Sequence, residues 1–342
     1  MKTESESVAE RAREVLPGLW HLRTRLPGHR LGWMNSYLLA SADGAIVIDT
    51  PWGRPEVRDE FLDAIAETGT DPGEIRMVLL THYHDDHSGC AAHLQRLGAS
   101  VAIHPADTEA MRSRFADATY AERLERWLGR VGADAELVEY ARQQQASFSE
   151  RFEVPAADFD LVDGQVIEAG PWRLLVVHTP GHTPGSVCFL ELGTGTLFSG
   201  DHVFPLRRSN AVHRPVSADR PLEEYWKGMD RLAALAPERV MPGHEHPFDH
   251  FDARIAELAA VRDRKLDEVL TLLVDVRQGA SAADLAPRIR RRVGWAELDG
   301  NSRLTAIGET LAYLIELEHD RRLEATDAEP QHWRIREDAT TR

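Results

Sequence analysis

Thr81-His82-Tyr83-His84-Asp85-Asp86-His87-Ser88-Gly89 follows the apolar run Met77-Val78-Leu79-Leu80 and precedes Cys90-Ala91-Ala92-His93-Leu94. A buried strand that ends in three imidazoles and two carboxylates places there groups that a core excludes unless something binds them. A metal ion is the expected binder. In an extended segment His82 and His84, two apart, point to one side and Tyr83 to the other. Asp86 and His87 fall where the chain turns into a helix, and that turn aims them back at the same point. Neutral imidazole and carboxylate suit zinc, iron or manganese better than magnesium or calcium. A solvated polar turn is the bland alternative, and the complete H-x-H-x-D-H spacing after a strand makes it the weaker one.

Upstream, the pattern is strands and turns: Trp20-His21-Leu22-Arg23, Asn35-Ser36-Tyr37-Leu38-Leu39, and Ala45-Ile46-Val47-Ile48-Asp49. Asp49 closes an apolar strand before Thr50-Pro51, which makes it a candidate to hold a ligand histidine in its tautomer, with turn capping as the alternative. Val57, Phe61, Leu62 and Ile65 recur at helical spacing over residues 56–68. With the short helix to Leu97 and the strand Ser100-Val101-Ala102-Ile103, the order strand, helix, strand, helix predicts an α/β layer arrangement.

Downstream of His104 the strands stop until about Asp158. Tyr120, Leu124, Trp127, Leu128 and Val131 recur at helical intervals, and Leu137, Val138 and Tyr140 mark a second segment. A helical insertion of this size, about 105–158, is expected to form a lid or a wall of a substrate pocket, or else an oligomer contact. The strands then resume through Trp172-Arg173-Leu174-Leu175-Val176-Val177 into His178-Thr179-Pro180-Gly181-His182-Thr183-Pro184-Gly185-Ser186. Further runs end in Gly200-Asp201-His202 and, after a helix around Leu222–Leu235, in Pro242-Gly243-His244-Glu245. Four times an apolar strand ends in a turn carrying His or Asp. Separate strand ends converging on one place is how α/β enzymes build active sites.

Composition narrows the classes. The chain has 342 residues, 42% hydrophobic and 28% charged, with a formal net charge of −16. That length accommodates a large domain plus a small one. The charge disfavours general affinity for nucleic acid or anionic membrane. The acidic start Met1-Lys2-Thr3-Glu4 lacks the apolar core of a signal peptide, and no apolar run approaches bilayer length. Two cysteines, Cys90 and Cys188, are too few for a disulfide framework and read as small buried packing residues in a reducing, cytoplasmic setting.

Five landmarks stand in order: Asp49 closing its strand, the run His82 to His87, Thr179-Pro180-Gly181-His182-Thr183, Gly200-Asp201, and Pro242-Gly243-His244. Across residues 15–258 the sequence resembles the metallo-β-lactamase superfamily of hydrolases. That resemblance implies a four-layer αβ/βα sandwich with metals in a groove at one edge of the two sheets. Carried over by position, it implies that His82, His84 and His182 hold one Zn(2+), that Asp86, His87 and His244 hold a second, and that Asp201 bridges them. A hydroxide between the two ions is then the nucleophile, with Asp86 orienting it, and iron or manganese can stand in for zinc. True β-lactamases of the group usually lack either the histidine at the His87 position or the carboxylate at Asp201, so the ligand set resembles that of glyoxalase II-like thioesterases, lactonases and nucleases. The expectation is a metallo-hydrolase attacking an ester, thioester or lactone carbonyl of a small molecule, with a phosphodiesterase of the ribonuclease type as the alternative.

In the loop after Asp201, Arg207 and Arg208 are candidates to grip an anionic part of a substrate, against the plainer reading of a solvated face. His93, His104, His246 and His250 read as surface or capping residues, His178 and His202 as structural groups flanking landmark turns, and Tyr83 as core. From about Arg262 the chain turns helical, with stripes Leu266, Val269, Leu270, Leu273 and Leu304, Ile307, Leu311, Leu314, Ile315, and a capping box at Ser281-Ala282-Ala283-Asp284. Arg322-Leu323-Glu324 and His332-Trp333-Arg334-Ile335 then pair as a hairpin. Residues 262–337 resemble the winged-helix appendage of some proteins of the same superfamily. Arg288-Ile289-Arg290-Arg291-Arg292 on its second helix raises the alternative of RNA delivery or of a metal-binding regulator. Acidic residues balance the basic ones, and Glu309, Glu316 and Glu318 on the third helix repel phosphate, so packing or homodimerisation is the expected role.

Overall fold

The computed structural model describes residues 11–116, 119–149, 152–276 and 278–336. In chain order the first half runs β1 (Ala12–Leu16), β2 (Leu19–Arg25), β3 (Trp33–Ser41), β4 (Gly44–Ile48), α1 (Pro55–Glu67) and β5 (Ile75–Leu79). The short helices α2 (Asp85–Ser88) and α3 (Ala91–Arg96) follow, then β6 (Ser100–Ile103). Three helices, α4 (Pro105–Ala116), α5 (Thr119–Val131) and α6 (Ala135–Ser149), form the insertion ahead of β7 (Phe159–Asp160). The second half contains β8 (Val166–Ala169), β9 (Trp172–His178), β10 (Val187–Glu191), β11 (Thr196–Gly200), α7 (Pro221–Ala234) and β12 (Arg239–Pro242). Last come α8 (Phe251–Val274), α9 (Ala282–Leu285), α10 (Gly300–His319), β13 (Leu323–Ala325) and β14 (Trp333–Ile335).

Strands β1 to β7 make one sheet in sequence order, antiparallel as far as β4 and parallel from β4 to β7. The second sheet has the order β12-β11-β10-β9-β8, parallel only between β11 and β12. Alternation along the strands decides the layers. Leu39, Ile46, Ile48 and Leu79 face Val176, Phe189, Phe198 and Met241 of the other sheet and form the central core. Their alternates Leu38, Val47 and Val78 turn outward onto Phe61, Ile65 and Leu94 of α1 and α3. On the far side Val177, Cys188, Leu197 and Val240 pack under Leu222, Met229 and Leu232 of α7. The result is the expected order of helices, sheet, sheet and helices.

The insertion and the carboxy-terminal helices share one buried cluster with that outer face. Trp127, Leu128 and Val131 of α5 meet it together with Leu304, Ile307, Leu311 and Leu314 of α10. Gln331 donates from its backbone N–H to the Arg130 carbonyl at 3.0 Å, and the Arg130 Nε returns a bond to the Gln331 side chain at 2.8 Å. The apolar stripe of α5 is therefore consumed inside the chain. Helix α8 runs unbroken through residues 258–262, where the domain boundary was expected. Ser281 and Asp284 do form the capping box that opens α9.

One expectation about the module is corrected. The arginine run is not on its second helix: α9 ends at Leu285, a single 3₁₀ turn spans Ala286–Arg288, and Ile289 is extended with its side chain buried. Pro287 fits the start of that turn but cannot continue a helical hydrogen-bond ladder. Arg291 turns back onto the carbonyls of Ala286 and Ile289. Residues 1–10, which include the acidic start, and residues 337–342, which include the last position of the expected module, lie outside the described residues.

Trp333 anchors the hairpin to this cluster. Its side chain is fully buried, its Nε1–H donates to Glu318 Oε2 at 2.9 Å, and its backbone pairs with Ala280. Trp333→Ala is expected to destabilise the fold by about 3–5 kcal/mol, because it leaves a cavity and an unpaired carboxylate. Thermal or urea denaturation of the two proteins measures this directly. A loss below about 1 kcal/mol is the contrary result.

Candidate metal centre

The strand ends β4, β5, β11 and β12 and the β9–β10 turn open at one edge of the two sheets; the segment after β5 brings four polar groups there and each of the others brings one. Asp49 follows β4 with φ 58°, in the left-handed region where aspartate is among the few side chains tolerated. After β5 the chain bends at Thr81 and His82, is extended at His84 and then starts α2, so Asp86 and His87 turn inward while Tyr83 packs into the helix-side core. The β9–β10 turn supplies His182, the end of β11 supplies Asp201, and the end of β12 supplies His244. Asn35 and Tyr37 of β3 fix that last turn: Asn35 Nδ2 donates to the Pro242 and Glu245 carbonyls at 2.9 Å each, and the Tyr37 hydroxyl donates to the Pro242 carbonyl at 2.7 Å.

Two glycines admit these approaches. A Cβ on Gly243 would lie 2.5 Å from the His87 ring and 2.9 Å from Asp201 Oδ1. One on Gly200, itself at φ 48°, would lie 2.4 Å from Thr81 Oγ1. Alanine fits at neither position without moving a candidate ligand or its support.

Hydrogen bonds on the outside of the cluster fix the tautomers. His87 Nδ1 donates to Asp49 Oδ2 at 2.8 Å, His244 Nδ1 to the Trp33 carbonyl at 2.7 Å, and His182 Nδ1 to the Asn210 carbonyl at 3.2 Å. His82 Nδ1 lies 3.1 Å from Thr81 Oγ1, whose own proton goes to Asp49 Oδ2 at 2.7 Å. Each of these four rings therefore turns its Nε2 inward.

The inward nitrogens crowd one another. His84 Nδ1 stands 3.0 Å from both His82 Nε2 and His182 Nε2, and His87 Nε2 stands 3.3 Å from His244 Nε2. Asp201 spans both groups, with Oδ1 3.1 Å from His87 Nε2 and Oδ2 3.6 Å from His182 Nε2. Asp86 Oδ2 is 3.3 Å from His244 Nε2. Lone pairs at these separations repel unless a proton or a metal cation lies among them. A tetrahedral ion bound by nitrogens at about 2.0–2.1 Å spaces them about 3.3 Å apart, close to what is seen. Buried Asp201 Oδ1 has no hydrogen-bond donor, which fits a metal ligand and poorly fits an ordinary core carboxylate. His82, His84 and His182 form one triad, and Asp86, His87 and His244 another, each with ligand atoms within 4.8 Å.

Electrostatics divide the donors: although burial opposes it, Asp201 and Asp49 raise His87 well above the usual imidazole value and Asp201 and Asp86 raise His244, so a bound cation takes the place of a proton on these two rings. Burial, reinforced by the neighbouring imidazoles, holds His82 and His84 well below the usual imidazole value, and burial lowers His182. Burial opposes ionisation of Asp201, yet His87 and His244 hold it well below the usual carboxylate range. Burial acts the same way on Asp86, and its hydrogen bond with His244 together with the charges of His87, His244 and His29 outweighs it.

Of the residues singled out in the sequence, Asp49 sits behind His87 and Thr81 rather than in the cluster. Arg207 and Arg208 are spoken for: Arg207 pairs with Glu245 at 3.1 Å, and Arg208 pairs with Glu309 at 2.7 Å and the Tyr313 hydroxyl at 3.0 Å. Packing of the loop against α10 engages Arg208, a contact between residues a hundred apart that local pattern does not show. His178 stacks on His104 with ring centres 4.1 Å apart, away from the metal donors, and His202 is buried beside Tyr225.

Two residues were missed. Asp107 of α4 accepts from the Tyr83 backbone N–H at 2.9 Å, the Thr183 hydroxyl at 2.7 Å and the Gly185 backbone N–H at 2.6 Å, clamping the His84 segment to the His182 turn. An acidic residue in a helix's first turn looks like ordinary capping, which hid it. His29, in the β2–β3 loop, reaches within 3.7 Å of Asp86 and stacks on His244. The flanking Pro27-Gly28 marks only a turn, so nothing local pointed to it.

Comparison with known proteins follows the same lines. The sequence profile described as the Metallo-beta-lactamase superfamily matches residues 34–244. The lactamase-like protein aptB of Emericella nidulans is 26% identical over 248 residues, 72% of this chain, and the match spans 62% of that protein's own length. The human acyl-coenzyme A thioesterase MBLAC2 is 29% identical over 225 residues, 63% of this chain and 74% of that protein. A crystal structure of a metallo-beta-lactamase family protein from Thermus thermophilus superposes with a TM-score of 0.82 at 28% identity, covering 94% of this chain and all of that one.

Proposed function

The chain belongs to the metallo-β-lactamase superfamily, which makes it a hydrolase, and we propose that it cleaves acyl thioesters at a centre of two cations. The observation that carries this reading is the set of inward-facing donors, His82, His84 and His182 on one side and Asp86, His87 and His244 on the other, with Asp201 between them. Zinc is the proposed ion, and iron or manganese suit the same donors. Bound there, such ions supply an acidified water as nucleophile and polarise the carbonyl under attack. The chain's own contribution is to fix that geometry. Asp49 and the carbonyls of Trp33 and Asn210 lock the imidazoles, and Asp86, held ionised, orients the attacking water through its carboxylate.

A thioester is favoured over an ester or lactone by the likeness to a protein named as an acyl-coenzyme A thioesterase. The carboxy-terminal module supports a carbonyl substrate over RNA. Eleven residues of α10 are buried, and its acidic side chains are engaged internally, Glu309 with Arg208, Glu316 with Arg220 and Glu318 with Trp333. Helices α8 to α10 and the β13–β14 hairpin support a winged-helix-like module whose work is packing. Cys90 and Cys188, both buried and unpaired, support a reducing, cytoplasmic setting. Among the described residues no helix is long and apolar enough to cross a membrane.

The test is a substrate panel on purified, metal-analysed protein: N-acetylcysteamine and coenzyme A thioesters followed by thiol release, lactones, a β-lactam and single-stranded RNA. Thioester hydrolysis that disappears in His84→Ala is the expected result. Turnover of RNA, and of nothing else, overturns the reading.

A further inference from the structure

The loop between β2 and β3, residues 26–32, ties the metal centre to the carboxy-terminal helices. It closes on itself: the Leu26 N–H donates to the Gly32 carbonyl at 2.9 Å, the His29 N–H to the Leu26 carbonyl at 3.0 Å, and the Gly32 N–H to the His29 carbonyl at 3.1 Å. Its root is fixed, since Leu26 is buried with Met34 and Val57. His29 and Arg30 therefore move as one unit. Arg30 Nη1 donates to the Ser302 hydroxyl at 2.9 Å, a contact between residues 272 positions apart. Ser302 is buried in the first turn of α10, where its own backbone N–H donates to the capping Asp299 at 2.7 Å.

The same loop lays His29 on the Asp86 and His244 edge of the cluster. Its ring stacks on His244 with centres 5.7 Å apart and meets the Trp52 ring edge-on at 5.4 Å. Its Nδ1 accepts from the Leu31 backbone N–H at 3.4 Å, which leaves the proton of the neutral ring on Nε2. Nε2 lies 3.7 Å from Asp86 Oδ2, inside ion-pair reach and beyond a hydrogen bond. Among the described residues that N–H has no acceptor at hydrogen-bond distance. The His29 side chain is 28% exposed, against 12% for Asp86 and 0% for His244, so it is the part of this edge that an arriving molecule meets. An ionised Asp86 only accepts hydrogen bonds, and a carbonyl oxygen also only accepts. A donor beside Asp86 is what allows such an oxygen to dock there.

We propose that His29 donates from Nε2 to a carbonyl oxygen of the bound substrate beside Asp86, and that Arg30, held on Ser302, is the positioning residue that keeps it there. The identity of the substrate rests on the thioesterase reading, whereas the contact comes from the loop geometry. Helix α10 thereby does more than pack: through Arg30 it fixes where His29 stands at the cluster.

The metal-loaded full chain is assayed with the N-acetylcysteamine thioester of hexanoate. His29→Phe keeps a ring against Trp52 and His244 and removes the donor. It is expected to raise KM by about 5- to 20-fold, with kcat within about threefold and metal content unchanged. His29→Gln, which returns an N–H, should recover part of that loss. Arg30→Met and Ser302→Ala should each raise KM by about threefold, and the double variant no further, because both break one bond. Trypsin must draw the Arg30 side chain into its own pocket before it cuts there, so a guanidinium held on Ser302 is protected. Cleavage after Arg30 is therefore expected to be about 3- to 10-fold faster in Ser302→Ala than in the wild type. Loss of metal in His29→Phe, an unchanged KM, or a KM raised equally in His29→Phe and His29→Gln makes the ring a packing prop and overturns the contact. An unchanged KM in both latch variants, or equal cleavage of Ser302→Ala and wild type, overturns the positioning role of Arg30. If thioesters are not turned over but another substrate of the panel is, the thioesterase reading falls, and the same KM effect of His29→Phe on that substrate keeps the contact.

Discussion

Asp201→Ala is expected to reduce hydrolysis by about a thousand-fold and to cut the metal content of the purified protein. Its carboxylate reaches both donor sets, with one oxygen 3.1 Å from His87 and the other 3.6 Å from His182. Without that negative charge between them, two divalent ions would face each other with only the Asp86 carboxylate to offset their repulsion, and one of them would be lost more easily. The fold should tolerate the change. Asp201 Oδ1 accepts no hydrogen bond, so alanine frees no buried donor from it. Metal analysis beside thiol release on the same sample gives the measurement, with metal-free melting temperature as the control for folding. Full activity with two ions per chain would show that Asp201 does not bridge.

The second large effect is expected at a residue outside the cluster. Asp49 accepts three hydrogen bonds, from the Thr81 backbone N–H at 2.7 Å, the Thr81 hydroxyl at 2.7 Å and His87 Nδ1 at 2.8 Å. Asparagine keeps the shape but offers one acceptor oxygen and an NH2 group. At least one buried donor then faces another donor, at a cost of about 1–3 kcal/mol. His87 loses the partner that fixes its tautomer, and Thr81 loses the anchor that links it to His82. Metal affinity is expected to fall by about 10- to 100-fold. Titration with a competing chelator measures the affinity, and excess zinc should restore much of the lost rate, because the ligands themselves are intact. An affinity equal to that of the wild type would reduce Asp49 to a turn cap.

The layered fold was legible because its signals are local. Alternation in β3, β4 and β9 announces strands with two apolar faces, and the helical stripe of α5 announces a buried helix, whatever lies opposite. The stripe did not say which surface it meets. Its partner is α10, nearly two hundred residues away, and that contact makes the insertion a shared core with the carboxy-terminal helices. The arginine run at 288–292 shows the reverse failure. Composition suggested a basic helix face, whereas Pro287 and the buried Ile289 break the segment into a turn and an extended stretch.

By itself the sequence determined which strand ends carry imidazoles and carboxylates, since the switch from apolar run to polar turn is written within ten residues each time. The tertiary structure alone decided which charges are cancelled. Glu245 and Glu309 neutralise Arg207 and Arg208, while Arg214 faces the Thr305 hydroxyl and the Trp127 ring. Whether a charge meets its opposite depends on packing between distant segments, and desolvation on that packing, neither of which a local pattern encodes.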